Sequence, residues 1–196
     1  MDKLSYAWGL AMGQQLHGMG VKELNIADYT EAVKDVFEGN EPKMPLEEAQ
    51  KIITEYLQDL QEKADAAAKA VGAKFLEENK KNAGVKETAS GLQYVVEKEG
   101  EGAQPSATDE VTVHYTGKLL NGQVFDSSVS RGEPATFPLN RVIPGWTEGV
   151  QLMKEGAKYT FFIPSDLAYG AQGVPNAIPP HSTLIFEVEL IKVIKK

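Results

Sequence analysis

Side chains that usually carry covalent chemistry are scarce in this chain. It has no cysteine, which excludes disulfides, thiol catalysis and thiolate metal sites. Its three histidines, His17, His114 and His181, lie far apart, and no two have metal-ligand spacing. There is no serine–histidine–aspartate set, no hydrolase-like carboxylate pair and no phosphate-cradling glycine loop. The conspicuous residues are aromatic. In "RVIPGWTEGVQLM", Arg141 to Met153, Trp146 and Val150 are four apart and Met153 follows at three. That is the spacing of one or two helical turns. An indole on so short a helix is either core filling or the floor of a site. Other candidates read as ordinary one by one. Phe125 and Phe186 fit a core, Asp126 a turn, and Tyr115 and Tyr169 a sheet edge.

The elements that must position these residues change character near residue 85. Eight of the ten prolines follow that point, and the helical patterns precede it. The first half predicts three helices. The first spans about Leu4 to Gly18 and the second about Ile26 to Glu38, with Asn25 or Asp28 at its start and Gly39 as its stop. The third opens at Pro45 with Glu47 and Glu48 in its first turn, favourable for the dipole. Its stripe of Leu46, Ala49, Ile53, Tyr56, Leu60, Ala64, Ala67 and Val71 continues to about Asn82, a helix of about 55 Å. The last third, "ADAAAKAVGAKFLEENKKN", is rich in alanine and charge and reads as a solvated spacer, with Gly72 as a weak point. In the first helix Gly9 and Gly13 are four apart, which allows another helix to approach closely. Leu4, Trp8, Ala11, Met12, Leu16 and Met19 are more apolar groups than so small a unit can bury alone, which predicts association with a second copy.

The second half has period two. "VTVHYTGKLL", "QVFDSS", "YTFFIP", "GLQYVVEKEG" and "STLIFEVELIKVI" read as strands, with Asn121-Gly122 as a type I′ hairpin pair. The only helical pattern there surrounds Trp146. The expected class is therefore α+β: an all-helical N-terminal region over residues 1–84, including the long linking helix of about 45–82, and a twisted antiparallel sheet wrapped on a short helix over 85–196.

Formal net charge is −8. Residues 1–86 carry 11 basic and 15 acidic groups, and residues 87–196 carry 9 and 13. Neither half is basic, so nucleic acid and anionic membrane surfaces are not expected partners. No run of about 18 apolar residues exists, so no helical span is expected. "MDKLSYAWGL" lacks the basic-then-apolar order of a secretory leader. The expected compartment is the cytoplasm, or the periplasm if a leader has been removed.

Several separated strings share one pattern. "VHYTGKLLNGQVFDSS", "VIPGWTEGV" and "LAYGAQGVPNAIPPHSTLIFEVEL" together resemble an FKBP-type peptidyl-prolyl isomerase over about residues 90–194. The first half resembles the dimerisation region of the macrophage infectivity potentiator subgroup of that family. The resemblance implies a pocket for a proline ring with Trp146 as its floor and Tyr115, Phe125, Val142, Ile143, Ile178 and Phe186 as walls. It implies Tyr169 at the rim with its hydroxyl towards the substrate carbonyl, Asp126 as the polar group of an apolar site, Arg131 as its charge partner, and the Ile143 N–H as a donor to substrate. No cofactor or metal is implied. The implied partners are proline-containing unfolded proteins, macrolides such as rapamycin, and a second copy bound through residues 1–40. Ala135, Leu167 and Val174 depart from common members at the rim and loops, which bears on substrate preference and macrolide affinity. The expected function is isomerisation of X–Pro bonds in folding proteins with chaperone-like client binding by the dimer. The rival readings are a non-catalytic proline-binding or chaperone module and a helical scaffold with a passive cap.

Overall fold

A computed structural model describes residues 1–196. Helix α1 (Lys3–Gly18) is capped by Asp2, whose carboxylate accepts from the Ser5 N–H at 2.8 Å. Helix α2 (Ile26–Glu38) is capped by Asn25, which accepts from Ala27 and Asp28, and it stops at Gly39 in the left-handed conformation. Helix α3 (Leu46–Asn79) is about 51 Å long. It follows Pro45, whose fixed φ and missing N–H suit the start of a helix. Residues Met1–Ala64 form one compact unit and Asp65–Lys196 another, so α3 belongs to both. No residue of α1 or α2 is buried. No helix is long and apolar enough to cross a membrane.

The expected solvated spacer at the end of α3 is corrected. That half of the helix lies on the sheet unit. Gly72 is buried, and a Cβ there would stand 2.4 Å from the Thr183 Oγ1, so the missing side chain permits close approach rather than marking a weak point. Phe75 packs on Phe162 with ring centroids 5.9 Å apart. Asn79 donates to the buried Gln93 side chain at 2.9 Å, and Gln93 donates to the Leu76 carbonyl at 2.9 Å. The contact boundary at 64/65 therefore precedes the change of sequence period near 85.

The sheet is antiparallel throughout. Its strands are β1 (Lys86–Glu87), β2 (Gln93–Lys98), β3 (Glu110–Leu119), β4 (Val124–Ser127), β5 (Ala135–Pro138), β6 (Lys158–Ile163) and β7 (Leu184–Ile194), ordered β1-β2-β6-β7-β3-β4 with β5 beside β3. Strand β3 alternates strictly: Val111, Val113, Tyr115, Gly117 and Leu119 are buried. Its partner β7 buries Leu184, Phe186, Val188 and Leu190 on the same face. Three short strands and helices are not expected from the sequence: β1, β5, and the four-residue helix α4 (Ser128–Arg131), capped by Ser127. The type I′ pair at Asn121-Gly122 does not form. Only Gly122 has positive φ, and Leu119 accepts from Gly122 and donates to Gln123. The register shifts between Gly117 and Lys118. A bulge there takes up the extra residue, so a three-residue loop ending in a left-handed glycine replaces the tighter turn.

Helix α5 (Pro144–Val150) packs on the concave core face. A Cβ on Gly145 would stand 2.5 Å from Ile163, and one on Gly149 would stand 2.6 Å from Phe161. The two glycines seat the helix against β6 and so fix the height of Trp146 above the sheet.

Candidate active site

Trp146 is 4% exposed and is boxed by rings set almost perpendicular to it. Tyr115 lies at 5.2 Å and 87°, Phe186 at 5.3 Å and 83°, and Phe137 at 5.9 Å and 88°. Phe125 stands edge-on to Phe186 at 5.5 Å. Such edge-to-face pairs set ring edges against ring faces, the favoured quadrupole arrangement. Each ring comes from a different element. Tyr115 and Phe186 point inward from β3 and β7, Phe125 comes from β4, Phe137 from β5, and Trp146 from the first turn of α5. Above them is a cavity of about 460 Å³ lined by Tyr115, Phe125, Asp126, Phe137, Arg141, Val142, Ile143, Trp146, Tyr169 and Phe186. The indole N–H of Trp146 is buried without a hydrogen-bond partner.

One carboxylate stands among these rings. The Tyr115 hydroxyl donates to Asp126 Oδ2 at 2.5 Å. Arg131, the last residue of α4, pairs with Asp126 Oδ1 and donates to the Tyr115 oxygen at 2.9 Å. Its guanidinium also lies 5.6 Å from the Tyr115 ring centre. Burial pushes the Asp126 pKa up, but the hydrogen bonds from Tyr115 and Arg131 and the charge of Arg131 outweigh it. The carboxyl is therefore held below its usual range and is ionised at neutral pH. Burial raises the Tyr115 hydroxyl, with the Asp126 bond adding to it, and burial raises Tyr169, with the Asp126 charge adding to it. Both phenols therefore keep their protons and can donate.

Ile143 is the N-cap residue of α5. Its carbonyl accepts from Trp146 and Thr147, while its own N–H has no partner in the surrounding backbone. Tyr169 is 38% exposed in the lining, at the open side of the cavity.

Of the ten residues the resemblance assigned, eight line this cavity and Arg131 is bonded to two of them. Ile178 is not in the lining of this cavity but belongs to the same buried cluster as Trp146 and Phe186. It is 4% exposed, exchanges backbone hydrogen bonds with Val174, and lines a second hollow of about 310 Å³ with Leu119 and residues of the 172–180 loop. Phe137 and Arg141 line the cavity without having been singled out. The alternation of "ATFP" was a signal for Phe137, and the position of Arg141 immediately before "VIPGW" was one for Arg141. There is no cluster of three or more histidine or acidic side chains that could hold a metal.

Comparison with known proteins covers both halves. Residues 101–191 match the model of the FKBP-type peptidyl-prolyl cis-trans isomerase, and residues 1–96 match the domain amino terminal to that isomerase. The chain is 50% identical over 202 residues to the probable FKBP-type peptidyl-prolyl cis-trans isomerase FkpA of Neisseria meningitidis, spanning 98% of this chain and 74% of the relative. It is 48% identical over 197 residues to the FKBP-type 22 kDa peptidyl-prolyl cis-trans isomerase of Escherichia coli, spanning 97% and 94%. Among solved structures, the crystal structure of FkpA from Escherichia coli matches with a TM-score of 0.76 and 37% identity over 98% of this chain and 96% of that one. Identity of this extent, carried through the helices as well as the sheet, places the chain in the FKBP-type peptidyl-prolyl cis-trans isomerase family.

Proposed function

We propose that the aromatic cavity receives the proline ring of an X–Pro bond in a folding protein and that Trp146 is its floor. The observation that carries this reading is the box of four perpendicular ring contacts enclosing an apolar space with a single, already neutralised carboxylate. An X–Pro bond rotates slowly because amide resonance sets a barrier of about 18–20 kcal/mol. Crossing it breaks no covalent bond and moves no proton between carbon and base. Midway, the amide is twisted, less conjugated and less polar than the planar ground state. A dry aromatic cavity favours that form over the solvated planar one. Each ~1.4 kcal/mol of such preference gives a tenfold rate increase.

The polar groups then have holding roles. The free N–H of Ile143 donates to a substrate carbonyl, and the protonated Tyr169 hydroxyl donates from the rim. Asp126 acts as a fixed charge beside the twisting amide. Tyr115 and Arg131 hold it in place and keep it ionised, and no base is needed. Phe125, Val142 and Phe186 close the sides. Rapamycin competes for the same space.

We further propose that residues 1–40 pair two chains, and that the dimer holds partly folded clients. The support is an unburied apolar surface, with Trp8 at 62% and Phe37 at 87% exposure. On α1 a shallow furrow of about 540 Å³ is lined by Ser5, Tyr6, Gly9, Leu10, Gly13, Gln14 and His17. A client held by one chain meets the second at raised effective concentration, an advantage that a tetrapeptide does not share.

The test is a protease-coupled proline-peptide assay on the full chain, with and without rapamycin. Trp146→Leu is expected to lower kcat/KM by about ten- to a hundredfold and to weaken rapamycin binding. A folded Trp146→Leu protein that isomerises and binds like the parent removes the pocket reading. Asp126→Val is expected to lower kcat/KM while leaving measurable activity, and the parent profile is expected to be flat from about pH 5.5 to 8 because the carboxyl titrates below that window. A steep rise through one carboxylate pKa, lost in Asp126→Val, would mean acid–base chemistry instead.

A further inference from the structure

Arginine is rare in this chain. Of its 20 basic residues only Arg131 and Arg141 are arginine, and both are at the aromatic cavity. Arg131 is fully engaged with Asp126 and Tyr115. Arg141 has no such engagement. It is exposed, lines the cavity, and forms no ion pair or side-chain hydrogen bond. Its backbone position is nonetheless well fixed. It ends the 3-10 turn Leu139–Arg141, whose first residue is fully buried. Leu139 donates to the Asp109 carbonyl at 3.0 Å and accepts from the Thr147 hydroxyl at 2.6 Å. The two residues that follow Arg141, Val142 and Ile143, are themselves cavity lining.

The charge balance at the mouth follows. Asp126 and Arg141 are the only charged residues in the lining, and the Asp126 charge is already met by Arg131. What remains is one uncompensated positive charge on a chain of net charge −8. The overall charge disfavours acidic clients at long range. Within a Debye length, about 8 Å at physiological salt, the nearest charge dominates. A peptide with its proline in the cavity must run out of it past the lining on both sides, so its flanking side chains come within that range of Arg141. A guanidinium, with its planar fork of donors, matches a carboxylate better than an ammonium does.

We propose that Arg141 is a specificity-determining residue: it selects X–Pro sites with an aspartate or glutamate within two residues of the proline and disfavours sites with a lysine there. This rests on the reading of the cavity as the proline site. The pair forms at a solvated rim, so its effect is modest, about three- to tenfold between glutamate and lysine.

The experiment measures cis–trans exchange by NMR on full-length protein, without a coupling protease. The peptides carry glutamate, alanine or lysine immediately before the proline, and in a second series immediately after it. In at least one series glutamate is expected to exceed lysine in kcat/KM by about three- to tenfold, with alanine between them. The ratio should shrink in 0.5 M salt, survive largely in Arg141→Lys, approach one in Arg141→Gln and invert in Arg141→Glu. Matched melting curves check that the variants fold, and Arg141 is exposed. A parent ratio near one in both series, or a ratio that Arg141→Glu leaves unchanged, overturns the proposal. Catalysis of the alanine peptides separates the two readings: parent activity on alanine without selectivity defeats only the role of Arg141, whereas no activity on any peptide defeats the proline-site reading beneath it.

Discussion

The two units of this chain use apolar side chains in opposite ways. From Asp65 onward they turn inward. Leu92, Val111, Val113, Leu139, Val150, Met153, Phe161, Ile163, Leu184, Val188 and Leu190 are completely buried in one cluster. Before Asp65 none is buried. Phe37, Val36, Leu46, Leu4, Ile26, Trp8 and Ile53 are all more than half exposed. The densities of apolar residues in the two sequences are not very different, so composition does not explain the contrast. Geometry does. A twisted sheet closed over α5 encloses a volume, whereas α2 presents an apolar stripe and α1 exposes apolar side chains around its circumference, none of them buried. The lesson is that the sheet unit is completed by its own chain. On the pairing proposed above, the helical unit reaches comparable burial by association, since an uncovered apolar surface of this extent is characteristic of an interface.

Cutting the chain at each of its two candidate boundaries tests this contrast. A fragment of residues 65–196 keeps the second half of α3 on the sheet. A fragment of residues 85–196 strips it, uncovering Phe162 and Thr183 and removing the Asn79 and Leu76 partners of the buried Gln93. Lost packing and the loss of two of the partners of Gln93, whose amide keeps only Glu87, together should make the shorter fragment less stable by about 2–5 kcal/mol. Denaturant unfolding of the two fragments measures this directly. The longer fragment should be monomeric by sedimentation, retain near-parent activity on a tetrapeptide, and lose most of the acceleration of proline-limited protein refolding. Equal stability of the two fragments would return the boundary to residue 85. Undiminished refolding activity would leave the helical unit without its proposed role.

A point mutation sharpens the same contrast at lower cost to the fold. A Cβ on Gly9 or Gly13 meets nothing within 4 Å in the single chain. Gly9→Leu or Gly13→Leu should therefore leave the folded chain and its peptide activity intact. If α1 pairs closely with another copy, the added side chain should weaken that pairing by about 1–3 kcal/mol, visible as a shift of the sedimentation equilibrium toward monomer. An unchanged association state would move the interface off this face of α1.

Much of this organisation is legible in the residues themselves, and the gaps have physical causes. Helix limits were readable where a cap is local: Asn25 and Gly39 bound α2, and Pro45 precedes α3. The alternation of β3 and β7 gave the core face without any knowledge of pairing. The fate of the end of α3 was not readable. Alanine, glycine and charge at helical spacing suit a solvated rod and a tightly packed helix equally, and only the groove over Thr183 decides between them. Arg141 escaped notice because pattern reading looks for apolar walls, and an unpaired charge becomes visible only once its neighbours are known to be paired elsewhere.

The two units also differ in how they hold carboxylates. In the helical unit the ion pairs are exposed, three of them between neighbours on one helix, Lys34–Glu38, Lys51–Glu55 and Lys63–Asp59, and one, Lys43–Glu31, from the following loop back to α2. Pairs of this kind contribute little. In the sheet unit Asp109 is nearly buried, and its carboxylate is shared by several donors: the Ser106 N–H at 2.7 Å, the Lys195 ammonium at 2.9 Å and the Lys196 N–H at 3.1 Å. The Ser106 N–H, then Lys195 and Lys196, hold its pKa well below the usual carboxylate range. A carboxyl depressed in the folded state contributes stability that is complete above its unfolded value of about 3.9 and is lost as pH falls toward the folded value. Asp109→Asn should therefore melt below the parent at pH 7, and the gap should narrow steadily from about pH 4 to pH 2. Melting curves of the parent and the variant across that range measure this directly. A gap for Asp109→Asn that stays constant into acid would mean that the carboxylate is held by shape rather than by charge, and the electrostatic difference between the units would disappear with it.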